Sequence, residues 1–324
     1  MCCLFGLYDY GGMLSVKQKN RIVSALAVAS EVRGTDATGI AYRNGTHLCI
    51  YKRPFPARWM RFRIPAATKA VMGHTRMTTQ GSEKQNCNNH PFYGMTNRGA
   101  FALAHNGILN NDLPLRREKK LPVSKIETDS FVIVQLLEQA DGVNLDTLRE
   151  TSELLRGSFT YTVLDAQEQL YIVRGNNPFC LYHFPKQKVY LYASTKEILN
   201  YALYEVRKSL HGNIEEVPVM VGDILCLSPD GVYQRSQFST CHLYDMRSFY
   251  SWPYSLPAPK VSKVAGGSYV RELKEMAGVF GYRPEDIDAM LADGLQPEEI
   301  EEFFYYGEIL VNRFPVTMGD LPKG

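Results

Sequence analysis

The chain has 324 residues, 45% of them hydrophobic and 22% charged, with a formal net charge of +2. That length suits one large domain or two modest ones, with enough apolar material for a full core. No apolar run approaches the ~18 residues needed to cross a bilayer. No basic stretch followed by a long apolar one opens the chain, so a cytoplasmic protein without membrane attachment is expected. The seven cysteines are odd in number and lack CxxC spacing, and the seven histidines lack HxH or HxxxH pairs. Neither a disulfide framework nor a metal or cofactor site is therefore expected.

In chain order, residues 3–8 read as a strand. Residues 16–31 place Ile22, Ala25, Leu26 and Ala29 on one face, as an amphipathic helix does. Strand-like segments follow at 38–43, 47–53, 70–74 and 101–105. Helices are expected at 129–140, opened by Asp129 with Thr128 as its cap, and at about 145–155. Strands resume at 158–164, 169–173, 180–183 and 188–193. A helix from Thr195 to about Tyr204 has Thr195 as its N-cap. Residues 221–233 read as a hairpin around Pro229-Asp230-Gly231. After Tyr233 the pattern dissolves, and residues 236–268 read as a linker or extension. Residues 269–324 hold 5 basic and 12 acidic residues, a net of −7, and two short helices led by Pro284 and Pro297 are expected there. Many strands and few helices, mixed in runs, indicate α+β architecture with antiparallel sheets.

The chemistry begins at "MCCLFG". If Met1 is removed, Cys2 carries a thiol and a free α-amine on one residue, titrating near ~8.5 and ~7.7–8.0. The amine can then take the thiol proton and later return it. An isolated early cysteine is otherwise a small hydrophobe. "GHTRMTTQG" ends a strand with Arg76 among small polar residues, where a guanidinium suits a carboxylate or a surface ion pair. In "ALAHNGILNN", Asn106-Gly107 is a turn signal, and its side-chain amide and next backbone N–H also make a pair of oxyanion donors. Asp129 in "IETDSF" serves either the first turn of a helix or a substrate ammonium. Together these groups suit cleavage of the side-chain amide of a free amino acid.

The same residues carry a family resemblance. "MCCLFG", "RGTDATGIA" (33–41), "GHTR" (73–76), "NNHPF" (88–92), "AHNG" (104–107), "ETDS" (127–130), "GSFT" (157–160), "AST" (193–195) and "GDI" (222–224) occur in order. This pattern resembles the class II glutamine amidotransferases, members of the N-terminal nucleophile (Ntn) hydrolases, over about residues 2–235. The resemblance implies a four-layer αββα sandwich, here with a small C-terminal helical appendage. It also implies hydrolysis of glutamine to glutamate and ammonia through a thioester. By the same resemblance Cys2 is the nucleophile, Asn106 and Gly107 form the oxyanion hole, and Arg76 and Asp129 hold the ends of glutamine. Thr79 falls in the stretch that lines the glutamine pocket. Arg33 and Asp36 are expected to brace the nucleophile strand. The chain departs from the family at Cys3, where Gly is frequent, at Met77, where an aromatic is frequent, and at Gln80, where His is frequent. The alternation of a strand turns Cys3 away from Cys2 into the core.

Class II domains usually feed ammonia to a synthase. The roughly 90 residues after Tyr233 show no pyrophosphate-binding SGGxDS pattern, no phosphoribosyltransferase-like acidic pair and no P-loop. An acceptor synthase on another chain is the expected partner. Two alternatives stand beside it: an Ntn hydrolase of another γ-glutamyl amide, and a non-catalytic module on the same fold. Residues 52–69 carry six basic and no acidic residues, with Phe55, Trp59 and Phe62 interleaved. Their place inside the expected catalytic domain argues against nucleic-acid binding. "RREKK" (116–120) reads as a solvated loop. Oligomeric state is not encoded in any of these features.

Overall fold

The structure is a computed structural model. It describes residues 2–207, 209–210, 212–244 and 283–292, with residues 270, 274, 295, 297 and 300. Two compact units divide the chain, Met1–Ser251 and Trp252–Gly324.

The first unit contains two antiparallel sheets. Sheet A is built from β1 (Cys3–Asp9), β2 (Ala37–Asn44), β3 (His47–Arg53), β4 (Ala70–Arg76), β9 (Cys180–Phe184), β10 (Val189–Ala193) and β11 (Glu215–Val217), in the order β11-β9-β10-β1-β4-β2-β3. Sheet B is built from β5 (Phe92–Thr96), β6 (Gly99–Leu109), β7 (Gly157–Leu164), β8 (Leu170–Val173), β12 (Asp223–Leu227) and β13 (Tyr233–Gln237), in the order β13-β12-β8-β7-β6-β5. Helices α1 (Val16–Ala29) and α5 (Lys196–Val206) cover sheet A. Helices α2 (Asp112–Glu118), α3 (Phe131–Gln139) and α4 (Leu145–Leu154) cover sheet B.

Three cores follow from the period-two alternation of the strands. On β1, Cys3, Phe5 and Leu7 face α1 and α5, packing with Ile22, Leu26 and Leu199. Leu4 and Tyr8 of the same strand face the other way, into a layer shared with Met72, Ala102, Ala104, Ile172 and Tyr192. On sheet B, Phe159, Tyr161 and Val163 pack against Val132, Ile133 and Leu148 of the helices. Helix, sheet, sheet and helix are thus stacked with a core at each interface: an αββα sandwich. Cys3 lies in the core, as its position next to Cys2 in a strand requires.

The helix ends have local causes. Ser15 caps α1 through a capping box with Gln18, and Thr195 caps α5 by accepting from Ile198 N. Four sequence expectations are corrected. Asn106-Gly107 is no turn: both residues lie within β6, paired with Thr160 and Phe159 of β7. Helix α3 starts at Phe131 rather than Asp129, with no side-chain cap, because the Asp129 carboxylate is drawn to Leu109 N at 2.6 Å. The first three residues of "RREKK" are the end of α2, where two arginines complement the helix dipole. Regular structure also continues past Tyr233, as the second strand of the hairpin.

In the second unit, α6 (Pro284–Ala292) begins at its proline as expected. The Asp286 carboxylate closes its first turn by accepting from Arg283 N at 2.8 Å. Of the helix expected at Pro297, residues 297 and 300 are described and both are helical, while most of the 236–268 extension lies outside the described residues.

Candidate active site

The pleat that sorts the cores also sorts the functional side chains. Cys2 continues the parity of Leu4 and Tyr8, Arg76 that of Met72, and Asn106 that of Ala102 and Ala104. All three therefore face the layer between the sheets, at one end of it. Register brings the first two side by side, because Cys3 pairs with Thr75.

The Cys2 side chain is half-buried, and its Sγ–H donates to Met77 O at 3.5 Å. Its carbonyl accepts from Arg33 Nε at 2.9 Å, so Arg33 braces the Cys2 end of β1. Asp36 holds the neighbouring segment by accepting from Thr78 N at 2.7 Å. Burial pushes the Cys2 thiol up, and the Met77 contact with the charges of Arg76 and Arg33 opposes that rise. The net shift is upward, so the sulfur is a thiol at neutral pH and needs a proton acceptor to become nucleophilic. Among the described residues, no histidine or carboxylate hydrogen-bonds to it.

Arg76 is 3% exposed. Its guanidinium donates to Asn89 Oδ1 at 2.7 Å, to Gln80 O at 2.6 Å and to Gly81 O at 2.8 Å. These acceptors are all neutral. Burial lowers its pKa, while Cys2, Asp36, Glu83 and Asp129 act in the opposite sense. The segment after Arg76 turns sharply at Gly81, where φ is +72° and a Cβ would meet Asn88 Nδ2 at 3.0 Å. Asn88 and Glu127 hold that turn, the Asn88 amide donating to Glu127 Oε2 at 2.8 Å. Met77 and Gln80 enter these contacts through backbone carbonyls, so their departures from the family pattern leave the observed bonding intact. Thr79 is exposed and the structure does not bring it into this bonded set.

Asn106 is 1% exposed. Its Nδ2 donates to Ser194 Oγ at 3.4 Å, and its carbonyl accepts from Asn177 Nδ2 at 2.8 Å. Gly107 has φ +145°, and a Cβ there would fall 2.0 Å from Ser158 O, so no other residue fits. The Asp129 carboxylate accepts from Leu109 N through Oδ2 and from Ser130 Oγ at 3.2 Å through Oδ1. Each oxygen keeps a further lone pair for a cation.

Three buried histidines lie behind these groups. The His74 and His90 rings are 4.2 Å apart, and the His90 and Phe92 rings 4.3 Å apart. His74 Nε2 donates to His105 O at 3.0 Å. His105 Nδ1 bonds Ser130 Oγ at 2.7 Å, which links it to Asp129. Burial pushes His74 down to about 3, His90 well below its usual value, and His105 down. All three are neutral at pH 7. Lys52, donating to Asn89 O and to Pro91 O, is lowered by burial to about 8.

Of the supporting residues, Asn177 had no sequence-level role, whereas Asn89 and Ser130 lay in the quoted NNHPF and ETDS motifs without an individual role. The Asn pair in "RGNNPF" and the polar residue after Asp129 were the available signals. No cluster able to hold a metal occurs among the described residues.

Residues 74–200 match the family described as glutamine amidotransferase domain. The glutamine–fructose-6-phosphate aminotransferase (isomerizing) of Bacillus licheniformis is 34% identical over 181 residues, which is 53% of this chain and 29% of that protein. Its Bacillus subtilis counterpart is 32% identical over the same share of each. The chain thus covers less than a third of these relatives' length. Among solved structures, the glutamine phosphoribosylpyrophosphate amidotransferase of B. subtilis complexed with ADP and GMP superposes with a TM-score of 0.57. It is 21% identical, with coverage of 74% of this chain and 49% of that one. The allosteric regulatory enzyme of purine biosynthesis gives a TM-score of 0.58 at 20% identity, with the same coverage. At such identities these two likenesses concern the fold. The αββα sandwich is the fold of these two structures. Within it, residues 74–200 match the glutamine amidotransferase domain, and the chain is similar in sequence to part of these class II glutamine amidotransferases.

Proposed function

We propose that the chain hydrolyses the side-chain amide of glutamine to glutamate and ammonia, with Cys2 as nucleophile. The observation that carries this reading is the convergence of Cys2, Arg76 and Asn106 in one inter-sheet layer. There Arg76 is a buried cation bonded to neutral acceptors alone. A buried guanidinium so placed suits the α-carboxylate of an amino acid, and Asp129 suits its ammonium.

The thiol must lose its proton. Removal of Met1 supplies the acceptor, the α-amine of Cys2. Sulfur then attacks the amide carbon, and the oxyanion takes hydrogen bonds from Asn106 Nδ2 and Gly107 N–H. The α-ammonium returns the proton to the amide nitrogen, ammonia leaves and a γ-glutamyl thioester remains. Water, deprotonated by the same amine, displaces Cys2 and gives glutamate. Thr79 is proposed to line the pocket.

The purified chain is expected to release glutamate and ammonia in equal amounts from glutamine, and Cys2→Ala to abolish release. Intact-mass spectrometry should show loss of Met1 and a single adduct on Cys2 with a glutamine-analogue electrophile. Inert glutamine with turnover of a chromogenic γ-glutamyl amide would replace this reading with that of a different γ-glutamyl hydrolase. The ammonia is proposed to pass to a synthase on another chain. Glutamine labelled with 15N in its amide should then yield an aminated product, rather than free ammonium, when that partner is present.

A further inference from the structure

Ser194 is the first residue beyond β10 and is fully buried. Its N–H extends the β1 ladder by donating to Leu4 O at 2.9 Å. Its Oγ accepts twice, from Leu4 N at 2.9 Å and from Asn106 Nδ2 at 3.4 Å. One oxygen atom thus touches the nucleophile strand, two residues past Cys2, and the side-chain amide on the opposite sheet. The Asn106 backbone is fixed independently, its main-chain carbonyl accepting from Asn177 Nδ2.

An asparagine amide has two N–H donors. Ser194 engages one, and the second is left to face an oxygen in the pocket. At 3.4 Å the contact is longer than a strong N–H···O bond. It can orient the amide without competing with the stronger, charge-assisted bond that an oxyanion makes. We infer that Ser194 is a positioning residue. It locks the separation of the Cys2 strand from the Asn106 amide and aims the free Asn106 N–H at the oxyanion. The identity of the substrate rests on the glutaminase reading, but the role of Ser194 applies to any acylation of Cys2.

Two electrophiles separate this role from a merely structural one. p-Nitrophenyl acetate transfers its acetyl group to the Cys2 sulfur through a tetrahedral oxyanion, expelling p-nitrophenolate while the thiol proton goes to solvent. Iodoacetamide alkylates the same sulfur by displacing iodide, with no oxyanion. Both are read as modified Cys2 peptide by mass spectrometry. Ser194→Ala is expected to slow acetylation tenfold or more and to leave alkylation within twofold. On an Asn106→Ala background, Ser194→Ala should cost nothing further. Ser194→Thr, which keeps the hydroxyl, should retain most of the acetylation rate. If Ser194→Ala does not fold, Ser194→Gly removes the same oxygen and is read in the same way.

Equal loss of both reactions, no loss of either, or a further loss on the Asn106→Ala background would overturn the inference. Glutamine turnover by the unaltered chain is measured alongside. Its absence, with the Ser194 dependence of acetylation intact, sinks the proposed substrate and leaves the positioning role standing.

Discussion

Lys19 and Arg76 are both buried cations, and they are satisfied differently. Lys19 of α1 lies 3.1 Å from the Asp9 carboxylate and donates to Ala66 O at 2.7 Å and Thr68 O at 2.6 Å. Asp9 in turn accepts from Met13 N and Leu14 N, each at 3.1 Å. Charge is balanced there, and the pair joins α1, β1 and the segment before β4. Arg76 donates three hydrogen bonds, but no carboxylate of the described residues sits within ion-pair distance. The first arrangement closes a structure. The second leaves a positive charge with attraction to spare, and it does so beside Cys2.

Substitutions can separate the two. Lys19→Met strands the Asp9 carboxylate without a partner and is expected to cost about 3–5 kcal/mol of stability. Urea unfolding measures this, and KM for glutamine should not change. Arg76→Lys is expected to lower kcat/KM by about 10²–10³-fold, equivalent to about 3–4 kcal/mol, chiefly through KM. Steady-state kinetics decides it: an unchanged KM would place Arg76 with Lys19 as a structural cation.

A third test uses pH. Unfolded histidines take up a proton near ~6.5, whereas folded His74 does so only at about 3. Between those values the unfolded chain binds more protons, so stability falls as pH drops below 6.5 and is flat above it. Each such histidine contributes up to about 1.4 kcal/mol per pH unit. Urea midpoints at pH 7.5, 6 and 5 should fall in that order. His90→Phe should make the decline shallower, since neither ring nitrogen of His90 has a partner among the described residues. The smallest effect is at the α5 cap. Thr195→Ala should cost about 1 kcal/mol by thermal melt, with no change in KM.

Much of the sandwich was readable from local pattern. Short strand-like runs rich in apolar and β-branched residues marked β1, β2, β3, β7 and β10, and Thr195 marked the start of α5. The strand β5 was missed because "FYGMT" is short and its exposed positions, Tyr93 and Met95, are apolar as well. Helix α2 was missed because Asn-Asn-Asp with Pro114 reads as a turn. In fact Pro114 sits in a first turn, where its missing N–H costs nothing. Asn106-Gly107 misled for a tertiary reason: β7 pairs across it, and the positive φ of Gly107 serves close approach rather than reversal. Cys2, Arg76 and Asp129 stood out as candidates because their residue types are chemically demanding. Ser194 was not, because its role depends on a bond to Leu4, 190 positions away.

The place of β1 in sheet A also bears on how the protein is made. Phe5 is paired with Gly73 on one side and Ala193 on the other. A ribosome therefore releases β1 long before its second neighbour exists. Until β10 emerges, an apolar edge and the Cys2 thiol have no shelter. Pairing of that range is intrinsically slow, and it exposes nascent chains to aggregation. Fragments ending before residue 194 should therefore accumulate as chaperone clients, and competence should appear abruptly with chain length rather than by degrees.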